Sequence, residues 1–254
     1  MKRHCYKAST MLAAISVLSL AGLSQARAQT ELINNGGFEL NGGAGNTTFA
    51  SWNVANTDAG SFYVQTGNTS PSNNFGVAAP PEGSFAAMTD QSGPGGHVLY
   101  QDFFVPLALN SATLSFDRYI NNRNNTFFSP DTLSTGDGPN QQARIDILTS
   151  GSDPFSVAGS DVLMNLFQTQ PGDPSVFGYT FQQTDISSLL MAHQGQTLRL
   201  RFAEADNQLY FNFGVDKVSL ITTSNVTPEG SSLAMLSLGL LPLAYGFRRK
   251  LRKA

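Results

Sequence analysis

Two pairs of carboxylates in the sequence could carry out acid–base chemistry. Asp102 with Asp117, and Glu204 with Asp206, are the residue types that glycosidases use, with their two carboxyl groups about 5 to 9.5 Å apart. Glu204 and Asp206 are two positions apart, so they can share one face of a strand. Many solvated pairs have the same spacing. A glycan-active hydrolase is therefore one hypothesis that these residues raise.

Other catalytic signatures are missing from the sequence. It contains no G-x-S-x-G elbow, no H-E-x-x-H motif and no Walker loop. His97 and His193 are far apart and lack metal-type spacing, which is typical of histidines at strand edges or helix ends. The single cysteine, Cys5, precedes the cleavage site predicted below, so the mature chain has no thiol nucleophile and no disulfide. These observations predict a non-catalytic protein.

The charge distribution argues against nucleic acid as a partner. Nine of the fifteen Lys and Arg residues lie in the first 27 or the last seven positions. Residues 29–227 hold six basic and 17 acidic residues, a formal charge of −11. A surface of that sign repels phosphate backbones, and no basic stripe with interleaved aromatic residues is present.

Short alternating segments indicate an all-β fold. The segment 197–202 places Leu198, Leu200 and Phe202 on one face and Arg199 and Arg201 on the other. Further strands are predicted over residues 50–54, 61–65, 85–89, 98–105, 112–120, 143–148, 177–182 and 211–221. Strands at this spacing predict one antiparallel β-sandwich.

One helix and two long loops interrupt the strands. The helix is predicted over residues 185–195, with Asp185 at its N-cap and Gly195 at its C-terminal end. The loops cover residues 66–83 and 121–141. Loops longer than about 12 to 15 residues in a compact domain are usually functional or mobile, so either loop could form the rim of a binding site.

The N-terminus has the three parts of a secretion signal. A basic start is followed by an apolar stretch, residues 11–23, and by Ala26-Arg27-Ala28, which fits the small-x-small rule of signal-peptidase sites. About 13 apolar residues are too few to span a bilayer, which disfavours a membrane anchor, the alternative. We expect residues 1–28 to be a signal peptide for Sec export and residues 29–223 to be the β-sandwich domain.

The C-terminus combines an apolar helix with a basic end. Residues 233–247 are apolar or small, and five cations follow within residues 248–253. Fifteen helical residues span about 22 Å, and the flanking serines and a snorkelling arginine bring this close to the roughly 30 Å of a hydrocarbon core. The positive-inside rule would keep the basic end cytoplasmic and the domain outside. The alternative, a buried terminal helix, does not need five cations at its end.

Together, the motif Pro228-Glu229-Gly230-Ser231, the apolar helix and the basic end resemble the PEP-CTERM sorting signal of Gram-negative, exopolysaccharide-producing bacteria. Gly230 stands where the usual motif has a second proline, so the motif is a variant one. The resemblance assigns residues 224–254 to sorting by an exosortase, a membrane cysteine enzyme. It implies transient inner-membrane insertion and a final location at the cell surface or in the extracellular matrix.

A second resemblance covers the middle of the chain. Its landmarks are Trp52 and the segments 32–40, 82–88, 98–105, 195–202 and 213–221. They resemble those of jelly-roll, galactose-binding-like carbohydrate-binding modules. In such modules a Glu of the first strand motif and an Asp of the last strand often hold a structural calcium ion. This implies a site at Glu39 and Asp216, completed by carbonyl groups and the Ser84 hydroxyl. The alternative is that both carboxylates lie at strand ends in solvent.

The same resemblance implies that exposed aromatic rings stack on sugar faces, while polar side chains supply hydrogen bonds. The candidate rings are Trp52, Tyr63, Tyr119, Phe127, Phe128 and Tyr210. Phe127 and Phe128 are favoured because two adjacent phenylalanines in an Asn-rich loop are not easily both buried. Trp52 begins an alternating strand, which favours the core. The leading hypothesis is a secreted protein that binds polysaccharide, and its rivals are a structural matrix protein without glycan binding and the hydrolase.

Overall fold

Two antiparallel β-sheets form the protein in the computed structural model, which describes residues 27–225. The strands are β1 (Arg27–Glu31), β2 (Asn53–Asp58), β3 (Ser61–Gln65), β4 (Ala86–Asp90), β5 (Gly95–Phe104), β6 (Leu109–Asn122), β7 (Gln141–Thr149), β8 (Val162–Gln168), β9 (Val176–Asp185), β10 (Thr197–Asp206) and β11 (Phe211–Asn225). One helix, α1 (Ser187–Ala192), lies between β9 and β10 in the chain. This architecture confirms the predicted all-β fold.

The two sheets are named here after their central strands. In the β11 sheet the strand order is β3-β4-β11-β6-β9, with β1 also paired to β11, and in the β10 sheet it is β2-β5-β10-β7-β8. Their inner faces contact each other: the ring of Phe116 on β6 packs edge-on against that of Phe202 on β10, with 5.8 Å between centroids. The sheets therefore enclose one shared apolar core.

Strand β10 shows how alternation builds this core. Leu198, Leu200 and Phe202 are buried against the opposite sheet, as the sequence predicts. Burying each such side chain stabilises the fold by roughly 1.5 to 3 kcal/mol relative to leaving it in water. The inward-facing side of β10 continues beyond Phe202 with Glu204 and Asp206, which places two carboxylates inside the end of the sandwich.

The outer face of β10 differs from the expectation of a solvated surface. Arg199 and Arg201 keep only 7% and 0% of their surface exposed. The chain after β7 covers them, because Arg199 Nη1 donates to the Ser152 carbonyl at 2.9 Å and Arg201 Nη1 donates to the Pro154 carbonyl at 2.7 Å. The alternation of the sequence correctly places both arginines on the outer face of β10, but it does not predict that the segment after β7 covers this face.

The helix is shorter than predicted, and its N-cap residue is Ile186, so the prediction of Asp185 at the N-cap is wrong by one position. An Asp185 carboxylate oxygen accepts the Ser187 backbone N–H at 2.8 Å, which satisfies one of the amides that a first helical turn leaves free. After the helix, Gly195 takes a positive φ of 77°, a backbone conformation that glycine adopts without steric cost.

The loop 66–83 packs onto the outer face of the β11 sheet. Val77 of this loop contacts Met88 and Tyr119 in a small buried cluster. One Asp90 carboxylate oxygen accepts the backbone N–H groups of Ser72 and Asn73 at 2.7 and 2.8 Å. The loop is therefore a cover of the sheet as well as a surface segment.

Most of the predicted terminal segments lie outside the described residues. Of the predicted signal peptide only Arg27 and Ala28 are described, as the start of β1, and of residues 224–254 only Ser224 and Asn225. The sorting motif from Pro228 to Ser231 and the predicted transmembrane helix are therefore untested. Within residues 27–225 no helix combines the length and apolarity needed to cross a membrane.

Candidate functional site

Trp52 belongs to the core, so its prediction as a sugar-stacking ring is wrong. Its exposed fraction is 6%, and its ring packs against Phe38 and Phe202 with centroid distances of 5.3 and 5.9 Å. The indole N–H donates to the Asn35 carbonyl at 3.1 Å. A ring buried in the core in this way cannot stack on a ligand.

The structure separates the two adjacent phenylalanines. Phe127 is 1% exposed and packs against Phe211 in the core, with 5.7 Å between ring centroids, so its prediction as a ligand-binding ring is also wrong. Phe128 is half-buried, and its backbone pairs with Gln141 at the start of β7. This backbone pairing holds the loop 121–141 against the sheet, and the Phe127 ring points into the core.

Two of the three predicted tyrosines, Tyr63 and Tyr119, lie on the outer face of the β11 sheet. Tyr119 is 4% exposed, lies beneath the loop 66–83 and packs against Tyr179, so it too is corrected to a packing role. Tyr63 is half-buried, and burial, followed by the charge of Asp90, raises the pKa of its hydroxyl. The structure therefore does not bring Trp52, Phe127, Phe128, Tyr63 and Tyr119 together on one binding face.

A cleft beside the end of β10 gathers a different set of residues. It has a volume of about 200 Å³ and lies between the connection from β4 to β5 and the connection from β10 to β11. We call it the end cleft. It is lined by Gln91, Ser92, Gly93, Pro94, Asp206, Asn207, Gln208, Leu209 and Tyr210. Amide, hydroxyl and carboxyl groups thus meet an aromatic ring in a concave surface, the usual composition of a small-ligand site.

One wall of the end cleft is held by aromatic packing. The half-buried ring of Tyr210 packs edge-on against Phe75, with 5.0 Å between centroids. The guanidinium of Arg123 lies 4.0 Å above the Phe75 ring, in a cation–π contact. Tyr210 is the candidate ring from the sequence that the structure places at a cleft.

Two buried acids lie at and beneath the floor of the cleft. Burial raises the pKa of Asp206 to about 7, although hydrogen bonds from Gln91 and the Gly95 backbone lower it. Glu204 has no exposed surface, and burial together with the charge of Asp206 raises its pKa well above the usual range. A carboxyl group without exposed surface cannot touch a glycosidic bond, so this pair does not form a glycosidase site.

The other predicted acid pair is not assembled. Asp102 lies on β5 and forms an ion pair with Arg199, whereas Asp117 lies on β6 in the other sheet and forms one with Lys217. Each carboxylate is therefore neutralised by a partner in its own sheet. The structure offers no support for the hydrolase hypothesis at either of the pairs on which it was based.

His97 has a more specific environment than the sequence indicated. It lies on the inner face of β5 with no exposed surface, and its Nε2 atom is 3.9 Å from Oε2 of Glu204. Burial lowers its pKa to about 4. The sequence did contain an indication of this burial. His97 lies two and six positions before the core residues Leu99 and Phe103, and residues an even number of positions apart share one face of a strand. His193, by contrast, lies at the end of α1, as predicted.

The residues of the predicted calcium site meet at one short segment. Oε1 of Glu39 accepts the backbone N–H groups of Ser84 and Phe85, each at 2.9 Å. Asp216 accepts the Glu82 N–H at 3.4 Å and the Lys217 N–H at 2.8 Å. Residues 82–85 thus connect the two carboxylates. Glu39 and Ser84 are exposed and Asp216 is fully buried, so the solvated alternative fails for Asp216.

The environment of Asp216 suits a hard cation. Burial, together with the nearby charges of Glu82 and Asp117, raises the pKa of its carboxyl to about 7, against two backbone hydrogen bonds that lower it. An ion with two positive charges would relieve this repulsion between carboxylates. All the available donors are oxygen atoms, which is the donor set that calcium takes.

Comparisons with known proteins give weak matches to solved structures. Neither a protein-family model nor a curated protein matches the sequence. TmCBM61, solved with β-1,4-galactotriose, is 12% identical with a TM-score of 0.42, covering 75% of this chain and 97% of its own. A structure from a study of carbohydrate-binding modules of the β-sandwich superfamily is 14% identical with a TM-score of 0.39, covering 68% of this chain and 58% of its own.

An enzyme is matched at a similar level. The Stig cyclase Fisc from Fischerella sp. TAU, solved with an indole-containing ligand, is 15% identical with a TM-score of 0.43, covering 79% of this chain and 100% of its own. Binding modules and a cyclase are thus matched about equally well. Similarity at this level identifies neither a ligand nor a reaction for this chain.

Proposed function

We propose that the protein is a secreted, non-catalytic β-sandwich that binds polysaccharide at the end cleft. The observation that carries this proposal is the meeting of a half-buried Tyr210 ring with the polar side chains of Gln91, Asp206 and Asn207 around one concavity. A ring supplies a flat apolar contact for a pyranose face, and amides and carboxyls match sugar hydroxyl groups. The resemblance of the sequence to carbohydrate-binding modules supports the same conclusion.

The size of the cleft indicates what part of a glycan it accepts. Its volume of about 200 Å³ is below the roughly 300 to 1,000 Å³ of typical small-molecule pockets. A site of this size suits one sugar unit or a chain end. Binding would be weak per site, and firm attachment to a polysaccharide would need many copies acting together.

Glycan binding can be tested on an array of bacterial polysaccharides with the full-length chain. We expect Tyr210→Ala to weaken binding roughly ten-fold, about 1.4 kcal/mol, because it removes the stacking ring. Phe155→Ala is the matched control, since Phe155 lines a separate depression beside Asp58 and Thr135.

Three outcomes distinguish the hypotheses. Loss of binding on Tyr210→Ala but not on Phe155→Ala supports the end cleft. A blank array with folded protein favours the structural matrix protein that binds no sugar. Turnover of any arrayed polysaccharide would instead support a hydrolase and contradict the non-catalytic proposal.

We further propose that an exosortase sorts the protein after Sec export in a Gram-negative bacterium. The motif at Pro228, the apolar stretch and the basic end support this proposal, as do the small-x-small residues before Gln29. The protein would insert transiently in the inner membrane and then associate with exopolysaccharide or biofilm at the cell surface or in the matrix.

Mass spectrometry of the protein recovered from outside the producing cell tests this route. We expect an N-terminus near Gln29 and a C-terminus between Pro228 and Ser231, because both terminal segments act as processing signals. Recovery of an extracellular form with an intact C-terminal Ala254 would contradict sorting by cleavage. Deleting the five basic residues at the end should leave the uncleaved precursor, since the positive-inside orientation is lost.

We also propose a structural calcium ion held by Glu39 and Asp216, with Ser84 and nearby carbonyl oxygens completing its shell. The convergence of both carboxylates on residues 82–85 and the acidic surroundings of Asp216 support this proposal. The ion would join the segment after β1 to the last strand.

A further inference from the structure

Three metal-ligating side chains converge inside the end of the sandwich, beneath the end cleft. His97, Glu204 and Asp206 each offer one ligand atom, and these atoms all lie within 4.8 Å of one another. All three side chains are buried. His97 and Glu204 are direct cross-strand partners on β5 and β10, so the sheet register itself brings them together.

Hydrogen bonds fix which ring nitrogen of His97 faces the acids. The Ser61 hydroxyl donates to the Phe62 carbonyl, so its oxygen is free to accept from the Asn56 side-chain N–H at 3.0 Å. The amide oxygen of Asn56 then lies 3.2 Å from Nδ1 of His97 and accepts its N–H. Nδ1 therefore carries the proton, and Nε2 presents a lone pair toward Glu204.

This lone pair and the neighbouring carboxylate have no partner. Both carboxylate oxygens of Glu204, as well as Nε2 of His97, are buried without a hydrogen-bond donor or acceptor. Among residues 27–225, no Lys or Arg forms an ion pair with Glu204 or Asp206. Buried polar groups are usually satisfied, and an unpaired buried carboxylate is costly. The geometry thus calls for a positively charged species between these atoms.

We propose that His97, Glu204 and Asp206 form a binding site for a divalent first-row transition-metal ion, represented by Zn²⁺. One imidazole nitrogen and two carboxylate oxygens are a donor set that such ions accept, whereas Ca²⁺ takes oxygen ligands only. The site is therefore chemically distinct from the proposed calcium site at Glu39 and Asp216. It shares Asp206 with the proposed glycan site, but metal binding can be measured without any glycan.

Two glycines pack closely around His97, and Asp206 connects the cluster to the end cleft. A Cβ atom built at Gly60 or Gly95 would lie 2.8 Å from Nε2 of His97, so a residue with a side chain does not fit at either position. Asp206 contributes to both the cluster and the lining of the end cleft. A fourth ligand, such as water, can therefore reach the ion from the cleft. Closing the observed 3.9 Å between Nε2 and Oε2 to metal-bound geometry needs only small side-chain movements.

The competing explanation is that protons alone neutralise the acids. Glu204 would then be a neutral carboxylic acid, and the cluster would have no affinity for a metal ion. The two explanations differ in a direct measurement, because only the first predicts stoichiometric metal binding that depends on a histidine.

The test uses the full-length chain, purified in detergent, stripped with a chelator and titrated with Zn²⁺ and Co²⁺. We expect one Zn²⁺ per chain that excess Ca²⁺ does not displace, and Co²⁺ should give the d–d absorption of a low-coordinate site with nitrogen and oxygen donors. Glu204→Gln preserves shape and should weaken Zn²⁺ binding roughly 100-fold or more, and His97→Gln should act similarly. His193→Gln is the matched control and should bind like the parent chain.

Asn56 provides a second test outside the ligand set. Asn56→Ala removes the acceptor that holds the His97 tautomer and should weaken Zn²⁺ binding by about 10- to 100-fold. Asn56→Asp keeps an acceptor and should retain binding, which a merely structural role of Asn56 would not predict. Asn56 is exposed, so these variants can be tested even if a substitution in the core prevents folding.

Two results would overturn the proposal. The first is an absence of stoichiometric Zn²⁺ binding by the folded parent chain. The second is binding that His97→Gln, Glu204→Gln and Asn56→Ala leave unchanged, which would place the ion at other residues.

Discussion

Asp146 shows how a single residue holds charge in the interior of this protein. It has no exposed surface, and its carboxylate accepts hydrogen bonds from Arg144 at 2.8 and 2.9 Å, from Asn165 at 2.8 Å and from Arg201. Burial alone would raise its pKa, but the hydrogen bonds and charges of Arg144 and Arg201 outweigh burial and hold the pKa below its usual range. The charged form of Asp146 therefore stabilises the fold.

We predict that Asp146→Asn lowers the free energy of unfolding by about 3 to 5 kcal/mol near neutral pH, because it leaves two buried guanidinium groups without their counter-ion. The comparison is Asp102→Asn, which removes the carboxylate from only one buried guanidinium, that of Arg199, and whose own side chain is 36% exposed, so it should cost less than Asp146→Asn. Urea unfolding of both variants checks this, and equal losses would contradict the ranking.

The same residue predicts a pH dependence. Because its folded pKa is depressed, the stabilisation from Asp146 is fully present above its unfolded pKa of about 4 and is lost as pH falls through the folded value. The difference in unfolding free energy between the parent chain and Asp146→Asn should therefore shrink below about pH 4. Urea titrations from pH 7 to pH 3 measure it, and a difference that stays constant would exclude this origin.

At the scale of elements, periodic strands could be predicted and irregular ones could not. The predicted segment 61–65 coincides with β3, and β10 begins at the predicted Thr197. Strand β8 was missed because it lies at a sheet edge, has no alternating burial and pairs with β7 through two register shifts. Each register shift moves the apolar residues to the opposite face, so the strand lacks the alternation of apolar and polar residues by which a strand is predicted.

Loops account for most of the errors in the site prediction. The burial of Tyr119 depends on Val77, which is 42 positions away in the chain, and that of Phe127 on the pairing of Phe128 with Gln141. Contacts of this kind, between segments far apart in the chain, cannot be predicted from the residues next to each ring. The end cleft escaped prediction for the same reason, since its lining comes from two loops that are more than 100 positions apart.

The cover over the β11 sheet should depend on Asp90. Its carboxylate accepts three hydrogen bonds from Ser72 and Asn73, including one from the Asn73 side chain at 2.7 Å. We predict that Asp90→Ala releases the loop 66–83 and increases hydrogen exchange there, with little change in β10. Ser92→Ala removes one exposed contact to Asn73 and serves as the control. Exchange that rises uniformly along the chain would indicate general destabilisation instead.

At the scale of the whole molecule, the sandwich is closed by contacts between distant ends of the domain. Strand β1 pairs with β11, and Oε1 of Glu31 accepts the Leu220 N–H at 2.8 Å, 189 positions away. Gly36 lies so close to the Val218 carbonyl that a Cβ atom would be 1.7 Å from its oxygen. Native structure therefore requires both ends of the domain to be in place at once.

The proposed calcium ion would act on this closure. Glu39 belongs to the N-terminal segment and Asp216 to β11, so an ion between them stabilises only the folded arrangement and raises the melting temperature by mass action. We predict that adding Ca²⁺ to chelator-treated full-length chain raises the melting temperature, and that Asp216→Asn abolishes this increase. His97→Gln should retain the increase, because its imidazole belongs to the separate transition-metal site. A melting temperature independent of Ca²⁺ in the parent chain would show that hydrogen bonds from residues 82–85 suffice to hold both carboxylates.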